Sequence, residues 1–366
     1  MRVGLDLVFL VPGETGGMEV YARQLVPRLA AAGLDVTAFV STAARSVDLG
    51  VETVVLPVDA RDRRQWVLGE QLHLPRSARR RRLDLVHALA STAPLHGPFR
   101  RVTTIHDLHY AIVPDAHFGA RGLGMRILVP AAARRSHRIV AVSQQTADDL
   151  VGLLRVPAAK VDVVPNGVTP RPAVAPVAEA VLRERLGLGD RPVLLSASAK
   201  RPHKNLLRLL DAHARLGPDR PVLVLPGYPT PHEDELRARA AGLGTAQDVR
   251  FPAWVDDAEL EGLYALATAF VFPSLYEGFG LPVLEAMARG VPVATSGRGA
   301  LAEVAGGAAE RFDAEDPTSI AAALRRVLSD AALRERLRVA GREQAARFTW
   351  ERTAQGTLRA YERALE

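Results

Sequence analysis

Two glutamates eight positions apart, Glu277 and Glu285, sit in the segment from Phe270 to Val293, where an apolar run passes through a glycine-bearing turn into a short helical pattern. Only three of the 47 basic residues are lysines, Lys160, Lys200 and Lys204, and two of these share the loop Leu195-Ser-Ala-Ser-Ala-Lys-Arg-Pro-His-Lys-Asn205 with Arg201. Ionised carboxylates accept hydrogen bonds from vicinal hydroxyls, and a compact ammonium suits a diphosphate held by a point charge. Carboxylates beside a phosphate-receptive turn therefore suggest a nucleotide-sugar. A third cluster, Thr103-Thr-Ile-His-Asp-Leu-His109, ends an apolar run with His106 and Asp107, and a histidine there can donate to a sugar hydroxyl or a carbonyl. The plainer reading of a glutamate pair, two solvated side chains, loses ground to the flanking glycines, proline and aromatics of this segment; a lone histidine is usually structural, and His106 is singled out by its place at the strand end.

The elements that must position these groups are marked by their punctuation. Pro282 suits a first helical position and Gly290 with Pro292 ends the helix, so Glu285 lies about one turn in. The N–H groups around Phe279, Gly280 and Leu281 would then open toward a phosphate, with Gly278 and Gly280 allowing close approach. Near the N-terminus, Gly16 and Gly17 start an amphipathic pattern after a first apolar strand; their spacing is not that of a dinucleotide fingerprint. Strand-like runs at 36–40, 85–88, 101–105, 138–142, 192–196, 221–225, 269–272 and 291–294 alternate with helical patterns, which predicts α/β architecture with parallel sheets covered on both faces. The proline- and alanine-rich stretch Thr169–Val177 interrupts the alternation and reads as a linker between domains 1–170 and 171–347.

The length of 366 residues exceeds what one hydrophobic core usually covers, and 48% apolar with 24% charged residues is ordinary globular usage. The absence of cysteine excludes a disulfide framework, a thiolate metal site and a thiol nucleophile. No run approaches the ~20 apolar residues needed to span a bilayer, and Asp6 interrupts the first one, so a cytoplasmic protein is expected. Residues 1–170 hold 21 Arg and Lys against 15 Asp and Glu, whereas the rest holds 26 of each, so the whole net charge of +6 belongs to the N-terminal part. Arg76–Arg82 and the mixed apolar and arginine segment Arg121–Arg138 carry much of it, a pattern an anionic membrane surface would attract, which would put the protein at the inner face of the membrane. Nucleic acid is not expected as a partner, since no recognition motif or aromatic stacking platform accompanies the basic charge.

The segment around Glu277 and Glu285 resembles the Glu, seven residues, Glu motif of retaining glycosyltransferases of family 4, and the glycine loop, the His106-Asp107 strand end and the Lys204-Asn205 loop extend that resemblance over almost the whole chain. It implies a GT-B fold: two doubly wound Rossmann-like domains facing across a cleft, with a C-terminal helix of about 348–366 packing back on the first. It implies that Glu277 contacts the transferred sugar, Glu285 the ribose, and Lys204 with Lys200 or Arg201 the leaving diphosphate, assisted by the backbone of Phe279, Gly280 and Leu281. Gly16 and Gly17 would face the diphosphate or the acceptor, His106 would position the donor sugar or the acceptor, Asp107 would touch the acceptor, and the base would lie near Val255. No Asp-x-Asp metal signature is present, so metal-independent transfer without a cofactor is expected.

The reaction so implied moves a hexose, best matched as mannose from GDP-mannose, to a hydroxyl acceptor with retained configuration, in polysaccharide, glycolipid or glycoconjugate assembly. UDP-glucose or a deoxysugar nucleotide acting on a small natural-product acceptor is the alternative. A non-catalytic relative that binds sugar nucleotides or lipids would keep the fold but lose Glu277, Glu285 or Lys204, and all three are present.

Overall fold

The computed structural model describes residues 1–113, 120–169 and 174–366, with no side-chain description at 120–123. Residues 170–173 of the linker stretch therefore lie outside the described residues, as do the side chains at the start of the basic segment from Arg121. The chain divides into two compact units, Met1–Gly167 with Phe348–Glu366, and Val168–Arg347.

The first unit holds seven strands: β1 Arg2–Leu7, β2 Asp35–Val40, β3 Glu52–Val55, β4 Leu85–Ala88, β5 Arg100–Ile105, β6 Arg138–Ala141 and β7 Val161–Val163, in the order β3-β2-β1-β4-β5-β6-β7. Every pairing is parallel. Alternate residues of β2 go to opposite faces: Val36, Ala38 and Val40 join one core and Phe39 the other, as a sheet covered on both sides requires. The helix Gly17–Ala31 covers one face with Tyr21, Leu25 and Leu29, and the helix Trp350–Leu365 adds Trp350, Ala360 and Tyr361 to the same core. That last helix is locked by a buried polar chain. His87 of β4 joins Tyr361 Oη and Thr104 Oγ1 at 2.8 Å each, and Thr104 reaches Tyr21 Oη at 3.1 Å. Burial drives the His87 ring down to a pKa of about 3, so it stays neutral within this chain.

The second unit holds β8 Val193–Leu195, β9 Val222–Val224, β10 Val249–Arg250, β11 Ala269–Phe272, β12 Val293–Thr295 and β13 Glu310–Arg311, ordered β10-β9-β8-β11-β12-β13 and again parallel. In both sheets the strand order reverses between the first strand and the fourth, β1|β4 and β8|β11. The loops after the strands that flank such a reversal diverge to opposite faces and leave a crevice at the carboxyl edge.

Among the described residues no helix is long and apolar enough to cross a membrane. The helix Ala120–Arg135 turns Val129 and Ala133 into a core with Ile105 and Ile139, while Arg134 and Arg135 are exposed and Ile127 stands 61% exposed.

Candidate active site

In the second unit the crevice at the strand reversal is built by the loops after β8 and β11. Pro202–Lys204 forms one turn of 3-10 helix, and Asn205 follows in the left-handed conformation at φ 61°, which aims the next helix, Leu206–Ala214, away from the edge. Asn205 is buried, and its Nδ2 donates to the carbonyls of Pro273 and Ala314 at 3.1 and 2.7 Å. Leu275 N and Ser274 Oγ both donate to His203 O, at 2.9 and 3.1 Å. The two loops are thus stitched together at the point where they carry charge. Lys204 Nζ donates to Glu277 Oε1 at 2.6 Å, with 15% and 14% of the two side chains exposed, and the ammonium stands 5.1 Å above the Phe272 ring. An ammonium has three donors, so Lys204 can keep Glu277 and still hold a phosphate oxygen.

Gly280 caps the helix Leu281–Ala288 at φ 114°, a left-handed conformation that favours glycine, and a Cβ there would meet Leu301 Cδ2 at 2.6 Å. The helix begins at Leu281, so Pro282 takes the second helical position rather than the first; a proline nitrogen is tolerated throughout the first turn because those N–H groups have no intrahelical partner. Phe279 is buried as a side chain, which leaves its backbone as the part that faces the turn. Glu285, half-buried on the next turn, accepts from the hydroxyl of Tyr264 at 3.2 Å. Burial raises the Glu285 pKa, opposed by the Arg289 charge and the Tyr264 bond; Arg289 itself is held by Glu261 and lies 5.0 Å over the Tyr264 ring. Val255 lies half-buried in the loop after β10, next to the exposed Trp254, whose ring stacks on Tyr228 at 4.5 Å.

Lys200 departs from the expectation. It is fully buried, its Nζ donates to Gly227 O at 2.7 Å and pairs with Glu233 at 3.2 Å, and burial pulls its pKa below the usual lysine value while Glu233 opposes the fall. An ammonium so enclosed clamps the loop after β9 and has no face for a diphosphate. Arg201, next in the chain, is exposed.

In the first unit, Gly16 caps the helix Gly17–Ala31 with φ 56° and ψ −131°, and both glycines are exposed. Glu19 folds back to accept from Gly13 N at 2.8 Å, which fixes the glycine loop from within. His106 follows β5, packs edge-on to Tyr21 at 5.1 Å, and donates from Nε2 to Leu89 O at 2.7 Å. Burial lowers its pKa, opposed by the Leu89 bond and Asp107, so the ring is neutral. With the Nε2 proton given to the Leu89 carbonyl, the remaining nitrogen, Nδ1, is an acceptor. Asp107 Oδ1 accepts from His109 N at 2.9 Å and so opens the turn that follows.

Sequence reasoning missed Tyr264, Asn205 and the carboxyl pair Asp6–Glu70. Tyr264 lies in the helix Asp257–Leu266, 21 positions from Glu285, and its place against that carboxylate is a tertiary fact. Asp6 and Glu70 are both 2% exposed and lie close enough to raise the Asp6 pKa, with Glu70 accepting from Thr92 at 2.6 Å and Gln71 at 2.8 Å and Asp6 Oδ1 accepting from Val8 N at 3.1 Å. Burial raises both, Glu70 to about 7. Glu70 lies in a π-helical turn, Gly69–His73, a feature no sequence period announces. Asp6, within the first apolar run, was the available signal.

Two parallel α/β sheets, each with a ligand crevice at its strand reversal, and a lysine–glutamate pair at one of them define a nucleotide-sugar transferase class of architecture. Residues 15–171 match the glycosyltransferase family 4 model and residues 179–344 the glycosyl transferases group 1 model. The chain is 32% identical to O-antigen chain mannosyltransferase B of Escherichia coli over 72% of this chain and 70% of that protein. It is 32% identical to a D-inositol 3-phosphate glycosyltransferase of Nocardioides sp. over 96% of this chain and 86% of that one. In structure it resembles Anabaena HepE, solved with UDP and glucose, with a TM-score of 0.78 at 19% identity over 99% of both chains. The chain belongs to glycosyltransferase family 4 and is a glycosyltransferase with the GT-B fold.

Proposed function

We propose that this glycosyltransferase moves a mannosyl group from GDP-mannose to a hydroxyl of a growing glycan or glycolipid, with retained configuration at the anomeric carbon. Residues 171–347 bind the donor, and residues 1–170 with the helix of about 348–366 bind the acceptor. The observation that carries the reading is the 2.6 Å contact between Lys204 and Glu277, which joins residues 73 apart at the strand reversal of the second sheet. A diphosphate arriving there meets the Lys204 ammonium and the Gly280–Leu281 helix start, with Arg201 supplying the second base in place of Lys200. As the glycosidic bond to phosphate lengthens, negative charge grows on the leaving oxygen, and these fixed positive groups stabilise it. Glu277, already held by Lys204, orients the sugar hydroxyls. Glu285, held by Tyr264, accepts from the ribose, and the loop at Val255 receives the base. His106 Nδ1 accepts from a sugar or acceptor hydroxyl, with Asp107 and the Gly16–Gly17 loop beside the incoming substrate.

Mannose is favoured by the similarity to mannosyltransferase B. A UDP-hexose donor is the second reading, favoured by the structural likeness to HepE with its UDP and glucose. Slow hydrolysis of a panel of nucleotide-sugars tests both. GDP-mannose turned over fastest is the expected result; preference for UDP-glucose selects the second reading, and no hydrolysis of any donor together with no nucleoside diphosphate binding contradicts both.

A further inference from the structure

The carboxyl edge of the first sheet is the crevice side; the amino edge, at its other end, carries a basic cavity that the transfer reaction does not use. Asp84, Arg100 and His137 stand immediately before β4, at the first residue of β5, and immediately before β6, and with Arg79, Arg82 and Arg101 they line an open cavity of about 710 Å³. Asp84 is the one acidic residue in the lining, and it is engaged by Arg2, whose backbone N–H reaches it at 2.8 Å. The side chains of Arg79, Arg82 and Arg100 meet no carboxylate and no hydrogen-bond acceptor among the described residues. Arg81, between them in sequence, by contrast pairs with Glu52 at 2.8 Å.

Three further details point the same way. The helix Leu74–Arg80 ends in a Schellman arrangement, with Leu83 N bonded to Ala78 O and Arg82 N to Arg79 O at 3.1 Å each. The left-handed position of that motif favours glycine, yet Arg82 occupies it at φ 52° and takes the strain. His137 Nδ1 accepts from Arg101 N at 3.0 Å, so its neutral ring presents Nε2–H as a donor. Burial and then the charges of Arg101, Arg100 and Lys160 hold that ring below its usual pKa.

We infer that this cavity is a binding site for a phosphate monoester, distinct from the donor site of the second unit. Guanidinium groups present forked donors that match phosphate oxygens in pairs, and a dianion there would relieve the mutual repulsion of the arginines. A soluble sugar or polyol phosphate and the headgroup of an anionic lipid share this chemistry.

Calorimetric titration with glycerol 3-phosphate, and flotation with vesicles of phosphatidylcholine containing phosphatidic acid, distinguish the two sources. Binding in either arm that the Lys204→Met variant retains, and that an Arg79→Ala/Arg100→Ala variant weakens tenfold or more, supports the site. Soluble binding assigns it to a small phosphate ester, and vesicle binding alone to a headgroup. Both arginines are at the surface without partners, so the double variant is expected to melt with the parent, and a matching melting curve confirms that its fold is intact. No binding in either arm, binding equal in the double variant, or binding lost in Lys204→Met overturns the inference.

Discussion

The two strand reversals have the same topology and opposite electrostatics. At β8|β11 the residues are charged and partly open to solvent: Lys204 is paired to Glu277, with Arg201 exposed in the same loop. At β1|β4 and the neighbouring end of β5 burial works against charge: it raises the pKa of Asp6 and Glu70 and lowers that of His87 and His106. Charge that is kept must meet a charged ligand, whereas neutral hydrogen-bonding groups suit hydroxyls. The two reversals thus differ in which side chains keep their ions, and the proposed roles, phosphate binding at one and hydroxyl binding at the other, rest on that difference.

The largest way to break this contrast is Lys204→Met, which removes the ammonium and leaves Glu277 without its partner. Turnover is expected to fall about 10²–10³-fold, measured as kcat for donor hydrolysis, because stabilisation of the leaving group is lost. Tyr264→Phe unpins Glu285 and is expected to raise the donor KM about tenfold with a smaller change in kcat, since one hydrogen bond to a charged group contributes ~1.5–3 kcal/mol and only part of it is lost. Lys200→Met tests the contrast within one loop. It strips the Gly227 carbonyl of its donor, so thermal stability should drop by about 1–3 kcal/mol while kcat stays within ~3-fold of the parent.

The smallest expected effect is on pH dependence. The folded Glu70 pKa lies above its unfolded value of 4.5, so the folded state holds a proton that the unfolded chain releases. Its contribution to stability is full below pH 4.5 and is lost as the pH rises toward about 7. In Glu70→Gln, melting temperature should decline less across that window than in the parent, and an unchanged slope would mean that Glu70 does not hold its proton in the folded state.

The parallel α/β class was legible because the central strands are largely apolar runs: Leu85–Ala88, apolar but for His87, and Ala269–Phe272 fall where the sequence places them. The four unread strands, β3, β7, β10 and β13, are the four sheet edges. An edge strand has solvent on one side and need not be apolar throughout, and Glu310–Arg311 of β13 carries no apolar residue at all. In the site, residues beside glycine and proline punctuation were legible, because turns there are fixed locally. Lys200 misled because a lysine in a glycine-free loop looks available; Glu233, which buries it, is 33 positions away in another helix. Tyr264 and Glu70 act through partners supplied only by packing, and local pattern carries no trace of them.

The central claim is that Lys204, and not Lys200, holds the diphosphate. Calorimetric titration of GDP and UDP into the parent, Lys204→Met and Lys200→Met proteins tests it most directly. The account predicts affinity reduced tenfold or more in Lys204→Met and retained within ~3-fold in Lys200→Met; the reverse order, or equal affinity in all three, would contradict it.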